Sequence, residues 1–217
     1  MKAAIFDLDG TLVDSAPDIA WGINRMLAAY GLPPQDIPVV EQFIGEGATV
    51  LVAKVYAHIG ERVDEARVER DTGLYLDYYR SRPVADSTLY ADAASALPAL
   101  RRAGVRLGVC TNKIQSLAET VLAHFELMQW IEVVVGSDTT PYRKPHPAPL
   151  LHALAHFGIA ATDAVFIGDT AIDYECAVAA EVSCRIVDWG LGPALNLPER
   201  TRLRRFADLV PVDASRA

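Results

Sequence analysis

Cysteine is scarce: Cys110, Cys176 and Cys184 are the only three in 217 residues, with no CxxC pair and no zinc-ligand spacing. That pattern supplies neither a disulfide framework nor a cysteine-built metal centre, and Cys110, set in an apolar run, reads as a small core side chain. Long apolar runs are missing too; no uninterrupted stretch is long enough to span a bilayer. The chain opens on Lys2-Ala3-Ala4-Ile5-Phe6, a strand-like segment, where a leader would carry charged and then apolar residues. The expectation is a reduced, cytoplasmic protein with no membrane partner. Positive charge is in short supply as well, 20 basic residues against 28 acidic ones for a formal net charge of -8. This weighs against a nucleic-acid partner. It does not weigh against a small anionic substrate, because a bound metal ion reverses the sign of a pocket. Internal repeats and low-complexity tracts are also absent.

What is present is an ordinary core-forming composition, 51% apolar and 22% charged, in a length that suits one large domain or one domain carrying an insertion. Short apolar runs ending in polar or glycine clusters recur at Ala3 to Leu8, Arg106 to Cys110, Ile131 to Val135, Ala164 to Ile167 and Cys184 to Val187. They read as buried strands. Helical patterns at about Gln115 to Phe125, Ala148 to Phe157 and Ala171 to Ala180 separate them, and Gly104 and Gly158 sit where helix-ending glycines belong. The alternation predicts an α/β fold, a Rossmann-like parallel sheet with helices on both faces.

One segment breaks the rhythm. Between Ser15 and Asp86 helix follows helix, so we expect a helical cap over residues 15–86 inserted into a core made of residues 1–14 and 87–217. Ser15 or Asp14 is placed to cap the first of these helices, Pro17 suits its first turn and Gly31 ends it. Pro98 would break the stretch Asp92 to Ala103 unless the helix begins at Ser95. The end of the chain, Asp213 to Ala217, is expected to fray.

The chemistry is concentrated where strands end. Asp7-Leu8-Asp9-Gly10-Thr11 follows the first strand, and a period of two turns Asp7 and Asp9 to one side of an extended chain. Gly10 permits a sharp turn and close approach of backbone amides to an anion. Thr111-Asn112 ends the second core strand, Lys144 lies in Arg143-Lys144-Pro145-His146-Pro147, and Gly168-Asp169-Thr170-Ala171-Ile172-Asp173 ends the fourth. Each has a bland reading as a cap or a solvated charge. Four together, at the edge where parallel sheets bind ligands, point to one site.

This order of motifs resembles the haloacid dehalogenase superfamily, most closely its phosphoglycolate phosphatase-like members. The match is carried by Phe6-Asp7-Leu8-Asp9-Gly10-Thr11-Leu12-Val13-Asp14-Ser15, Thr111-Asn112-Lys113 and Lys144-Pro145-His146-Pro147-Ala148-Pro149. The resemblance implies a phosphatase that forms a phospho-aspartate on Asp7, with Asp9 as acid and then base. It implies Mg2+ held by Asp7, the Asp9 carbonyl and Asp169. Leu8, Gly10, Thr111, Asn112 and Lys144 would hold the phosphate, and Asp173 would orient Lys144 or a metal-bound water. The chain departs from the family where Tyr90-Ala91-Asp92-Ala93 replaces a tyrosine followed by proline-glycine-valine. It departs again where Ala179-Ala180-Glu181 replaces alanine-alanine-glycine.

Specificity should come from the cap, with Gly45 and Glu46 in the loop Ile44-Gly45-Glu46-Gly47 as candidate contacts. The leading substrate is 2-phosphoglycolate, a small phosphorylated metabolite. A sugar phosphomutase of the same superfamily is the alternative, and a non-enzymatic phospho-accepting signalling domain a more distant one. A monomer and a homodimer fit the sequence equally.

Overall fold

The structure, a computed structural model, describes residues 1–211. Strand β1 spans Ala3–Phe6 and a short β2 spans Val13–Asp14; four helices follow, α1 (Ala16–Ala28), α2 (Ile37–Glu41), α3 (Ala48–His58) and α4 (Glu65–Ser81). The chain returns through β3 (Thr88–Leu89), α5 (Ala93–Arg102), β4 (Arg106–Cys110), α6 (Gln115–His124) and β5 (Val133–Val135). Helix α7 (Ala148–Phe157), β6 (Ala164–Gly168), α8 (Ala171–Ala179), β7 (Ser183–Val187) and β8 (Arg202–Leu203) complete it.

Six strands form one sheet in the order β5-β4-β1-β6-β7-β8, and every pairing is parallel. The expected parallel α/β architecture is therefore borne out. Central β1 is buried at all four residues, and Phe6 stands in register with Val109 on one side and Ile167 on the other. Helices cover both faces, which is why these strands are continuously apolar. On one face Leu97 of α5 and Val121 of α6 join Phe6 and Phe206 in a single core. On the other, Leu154 and Phe157 of α7 and Cys176 of α8 pack over Ile5 and Phe166.

The inserted helices have their own core, built from Ile23, Met26 and Leu27 of α1, Val52 and Tyr56 of α3, and Tyr75 and Tyr79 of α4. Leu117 of α6 joins that cluster, so the insertion rests on the start of α6. Both chain crossings into the insertion run through an antiparallel ribbon, β2 with β3, pairing Val13 with Leu89 and Asp14 with Thr88. Two-residue strands carry no periodicity, and the ribbon was not legible from the sequence.

Three local readings change. Leu8 lies beyond the end of β1, because the chain turns at Asp7 to build the loop described below. Helix α5 starts at Ala93, with Pro98 inside it. Ser95 and Ala96 donate to the Asp92 carbonyl at 3.1 and 2.8 Å, so the first turn forms earlier than expected and the proline leaves one helical carbonyl without its donor. Ser15 stands at the start of α1 but caps nothing with its side chain. Its hydroxyl donates to Asp9 Oδ1 at 2.6 Å instead. The expected frayed end, Asp213 to Ala217, lies outside the described residues. No helix among the described residues is long and apolar enough to cross a membrane.

Candidate active site

The loop after β1 is wound tightly by its own backbone. The Leu8 carbonyl accepts from the amides of Thr11, Leu12 and Val13 at 3.2, 3.0 and 3.0 Å, and the Gly10 amide donates to the Val13 carbonyl at 2.9 Å. This curl leaves Asp7 and Asp9 lining one cavity. Gly10 has φ +80°, and a Cβ there would lie 2.3 Å from Asp169 Oδ2. The glycine is required on two counts, conformation and the close approach of a carboxylate. Among the described residues, the backbone amides of Leu8, Asp9 and Asn112 donate to no protein acceptor, which leaves them free for an anion.

Behind the loop lies a buried ionic network. Lys144 Nζ donates to Asp173 Oδ1 at 2.6 Å and stands 3.0 Å from Asp7 Oδ1. The second contact has the distance of an ion pair but not the angles of a hydrogen bond, so Asp7 Oδ1 is left without a directed donor. Asp173 is fully engaged: its Oδ2 accepts from the Thr170 amide and hydroxyl at 3.0 and 2.7 Å in the capping box of α8. Asp169 accepts from Thr11 Oγ1 at 3.0 Å and from the Leu191 amide at 3.3 Å.

Burial dominates the charges here. It pushes the Asp7 carboxyl up to about 6, with Lys144 pulling the other way and Asp173 adding to the rise. Asp169 is raised well above the usual carboxylate range by burial and then by the negative charge of Asp173 and Asp7. Burial opposes the Lys144 charge, but Asp173 and Asp7 outweigh it and its proton is held more firmly than in water.

Asp7, Asp169 and Asp173 bring carboxylate oxygens within 4.8 Å of one another. Three buried carboxylates facing one ammonium form a site that a hard, oxygen-seeking divalent cation fits, and magnesium is such an ion. Asp173 accepts from the charged Lys144 ammonium, whereas neither Asp7 nor Asp169 accepts a hydrogen bond from a charged donor, so these two are the carboxylates placed to hold it.

The remaining expected residues divide. Thr111 follows β4, its amide bonded to the Val135 carbonyl at 2.9 Å, and lines the cavity with Asp7 and Asp9. Asn112 lines it too, but its side chain is committed elsewhere. It donates to the carbonyls of Gly45 and Lys144 at 2.8 and 2.9 Å and accepts from the Lys144 amide at 3.0 Å. It therefore ties the inserted helices and the lysine loop to the end of β4. Gly45 lines the cavity. Glu46 does not: it pairs with Lys54 at the surface, each side chain about two-fifths exposed. The unfavourable inward carboxylate is thus avoided.

One feature was not foreseen. Lys113 is buried against Asp9, 2.9 and 3.0 Å from its two oxygens, and 4.6 Å from the Tyr79 ring centroid. The loop after β7 reaches back, Trp189 Nε1 donating to the Thr11 carbonyl at 3.0 Å. The cues were Lys113 inside a motif already singled out, and Tyr75 and Tyr79 four apart on one helix face.

The chain matches the family model for haloacid dehalogenase-like hydrolases over residues 4–187. It is 39% identical over 214 residues to a phosphoglycolate phosphatase of Rhodospirillum rubrum, covering 96% of this chain and 89% of that one. It is 37% identical over 215 residues to phosphoglycolate phosphatase 1 of Pseudomonas aeruginosa, covering 97% and 79%. A crystal structure of a predicted phosphoglycolate phosphatase from Haemophilus somnus superposes with a TM-score of 0.85 at 30% identity, covering 96% of each chain.

Proposed function

The chain belongs to the haloacid dehalogenase-like hydrolase family, and on that basis we propose that it cleaves 2-phosphoglycolate to glycolate and phosphate. It is a magnesium-dependent phosphatase of a small phosphate ester. The observation that carries the substrate reading is the near full-length likeness to the phosphoglycolate phosphatases of Rhodospirillum rubrum and Pseudomonas aeruginosa, at 39% and 37% identity. Asp7, Asp9 and Thr111 line one cavity under the inserted helices, where such an ester would sit.

In the reaction we propose, an Asp7 carboxylate oxygen attacks phosphorus in line and the ester bond to the alcohol breaks. Asp9, protonated in the substrate complex, gives that proton to the departing oxygen. Asp9 then takes a proton from water, which attacks phosphorus, releases phosphate and restores Asp7. Lys144, Thr111 and the free amides of Leu8, Asp9 and Asn112 would hold the remaining phosphate oxygens, and Asp173 keeps Lys144 aimed at Asp7. Magnesium held by Asp7, Asp169 and the Asp9 carbonyl would neutralise phosphate charge so that an anionic nucleophile can approach. We take residues 15–86 as the cap that keeps bulk water out, with residues 1–14 and 87–217 as the catalytic core.

The test is phosphate release from a panel of phosphorylated metabolites, with and without magnesium, by wild type and Asp7→Asn. Magnesium-dependent release that favours 2-phosphoglycolate and vanishes in the variant is expected. A strict magnesium requirement with preference for a sugar phosphate would overturn the substrate assignment.

A further inference from the structure

A substrate with a carboxylate beside its phosphate must find a cation in the cavity, and none of the inserted helices offers one. The cap-side lining is apolar, with Ile44, Ala48, Leu51 and Leu76 among its residues. Of the cations those helices carry, none lines the cavity: Lys54 pairs with Glu46, Arg67 and Arg70 with Asp71, Arg80 with Asp77 and Arg82 with Asp86. Arg143 reaches the outer side of Gly47 but is exposed and does not line the cavity. The one cation in the lining is Lys113, whose side chain is 7% exposed.

Lys113 is more than a counterion for Asp9. An ammonium has three N–H donors and Asp9 occupies at most two of them. Beside it lies the Tyr79 hydroxyl, buried, which the Lys113 ammonium approaches without the geometry of a hydrogen bond. A buried hydroxyl left unsatisfied is costly, and one that lines a cavity beside a spare ammonium donor is placed for an anion. We propose that Lys113 and Tyr79 form the subsite that recognises the acidic end of the leaving group, so that the enzyme selects phosphate monoesters of short 2-hydroxy acids. This rests on the phosphatase reading above. In such an ester the carboxylate is one carbon from the oxygen that Asp9 protonates, and Lys113 touches that same Asp9. A single position of Lys113 then serves both contacts.

The test compares 2-phosphoglycolate with 2-hydroxyethyl phosphate, its uncharged counterpart, in wild type, Lys113→Met, Lys113→Arg, Tyr79→Phe and Arg143→Gln. A second measurement follows binding of free glycolate against ethylene glycol to the metal-free protein by ligand-observed NMR. We expect wild type to prefer the acidic ester by about 100-fold in kcat/KM, Lys113→Met to abolish that preference and Tyr79→Phe to reduce it about tenfold. Lys113→Arg should recover part of it and Arg143→Gln should leave it intact. Equal losses on both esters in Lys113→Met and Tyr79→Phe would make Lys113 a support for Asp9 alone and overturn the subsite. Glycolate binding that depends on Lys113 without turnover of either ester would leave the subsite standing and sink the phosphatase reading. Loss of selective glycolate binding from wild type as well would sink the subsite.

Discussion

Replacing the proposed nucleophile, Asp7→Asn, should make the metal-free protein more stable at neutral pH. Asp7 is 3% exposed and shares its surroundings with Asp169 and Asp173 against the single charge of Lys144. Burial raises its carboxyl from 3.8 to about 6, so the folded chain holds a proton on Asp7 that the unfolded chain has released between those values. Folding is therefore weakened as pH rises from 3.8 through 6, and the penalty is complete above that. At about 1.4 kcal/mol per pH unit the penalty is about 3 kcal/mol at most. Asparagine has the same shape and no charge to desolvate, and Lys144 keeps Asp173 as its counterion.

For a chain of this length each kcal/mol moves the melting temperature by about 2–4 °C. Without magnesium at pH 7.5, Asp7→Asn should therefore melt several degrees above wild type. The gap should close towards pH 4.5, where Asp7 in the wild-type fold is itself neutral. With magnesium the order should narrow or reverse, because only wild type offers the Asp7 carboxylate, and a ligand at 100 times its Kd adds about 2.7 kcal/mol. Differential scanning fluorimetry across pH, with magnesium or a chelator, reads all three effects. A metal-free variant that melts below wild type at pH 7.5 would refute the electrostatic reasoning, whatever its catalytic rate.

Gly10→Ala puts a methyl group 2.3 Å from Asp169 Oδ2 at φ +80°. It should cost about 1–2 kcal/mol in backbone strain, and the displaced carboxylate should cut activity about 100-fold; magnesium titration should show weakened affinity, and unchanged affinity would contradict the packing argument. The two positions where the chain departs from glycine, Asp92 and Glu181, both hold positive φ, 60° and 57°. Glu181 is exposed and closes α8 with no side-chain bond to defend, so Glu181→Gly should add up to about 1 kcal/mol in urea denaturation. Asp92 accepts from the amides of Phe206 and Ala207 at 3.3 and 2.9 Å, so Asp92→Gly should destabilise by about 1 kcal/mol or more. Stabilisation in both variants would mean that backbone strain alone decides.

The parts of the molecule legible from sequence are those in which a residue's role is fixed by its strand. A parallel strand buried on both faces must be apolar throughout, so Ala3–Phe6 and Ala164–Gly168 announce themselves, and the polar residues that end them fall at one sheet edge. That logic puts Asp7, Thr111 and Asp169 near one another before any coordinates. It fails where a polar side chain has several partners to choose from. Ser15 could cap α1 or reach Asp9, and Asn112 could face a ligand or bond Gly45, 67 positions away. Only the packed chain decides between them. The left-handed Asp92 and Glu181 follow the same rule, since a glycine at either place would have marked the turn and the substituted residues do not.

The two buried lysines divide the carboxylates between them. Lys144 stands between Asp7 and Asp173, on the sheet side, where α8 fixes Asp173 through its capping box. Lys113 holds Asp9, on the side where the inserted helix α4 lays Tyr79 against the ammonium. The ionic partners of the aspartate proposed to carry phosphate thus both come from the core, whereas the aspartate proposed to move protons is in contact, through one lysine, with the cap. Any displacement of α4 removes the Tyr79 ring from Lys113 and exposes the Lys113–Asp9 pair to water, which screens it. Proton transfer would then be tuned by how well the cap is seated, and a leaving group that bonds both Lys113 and Tyr79 would seat it best.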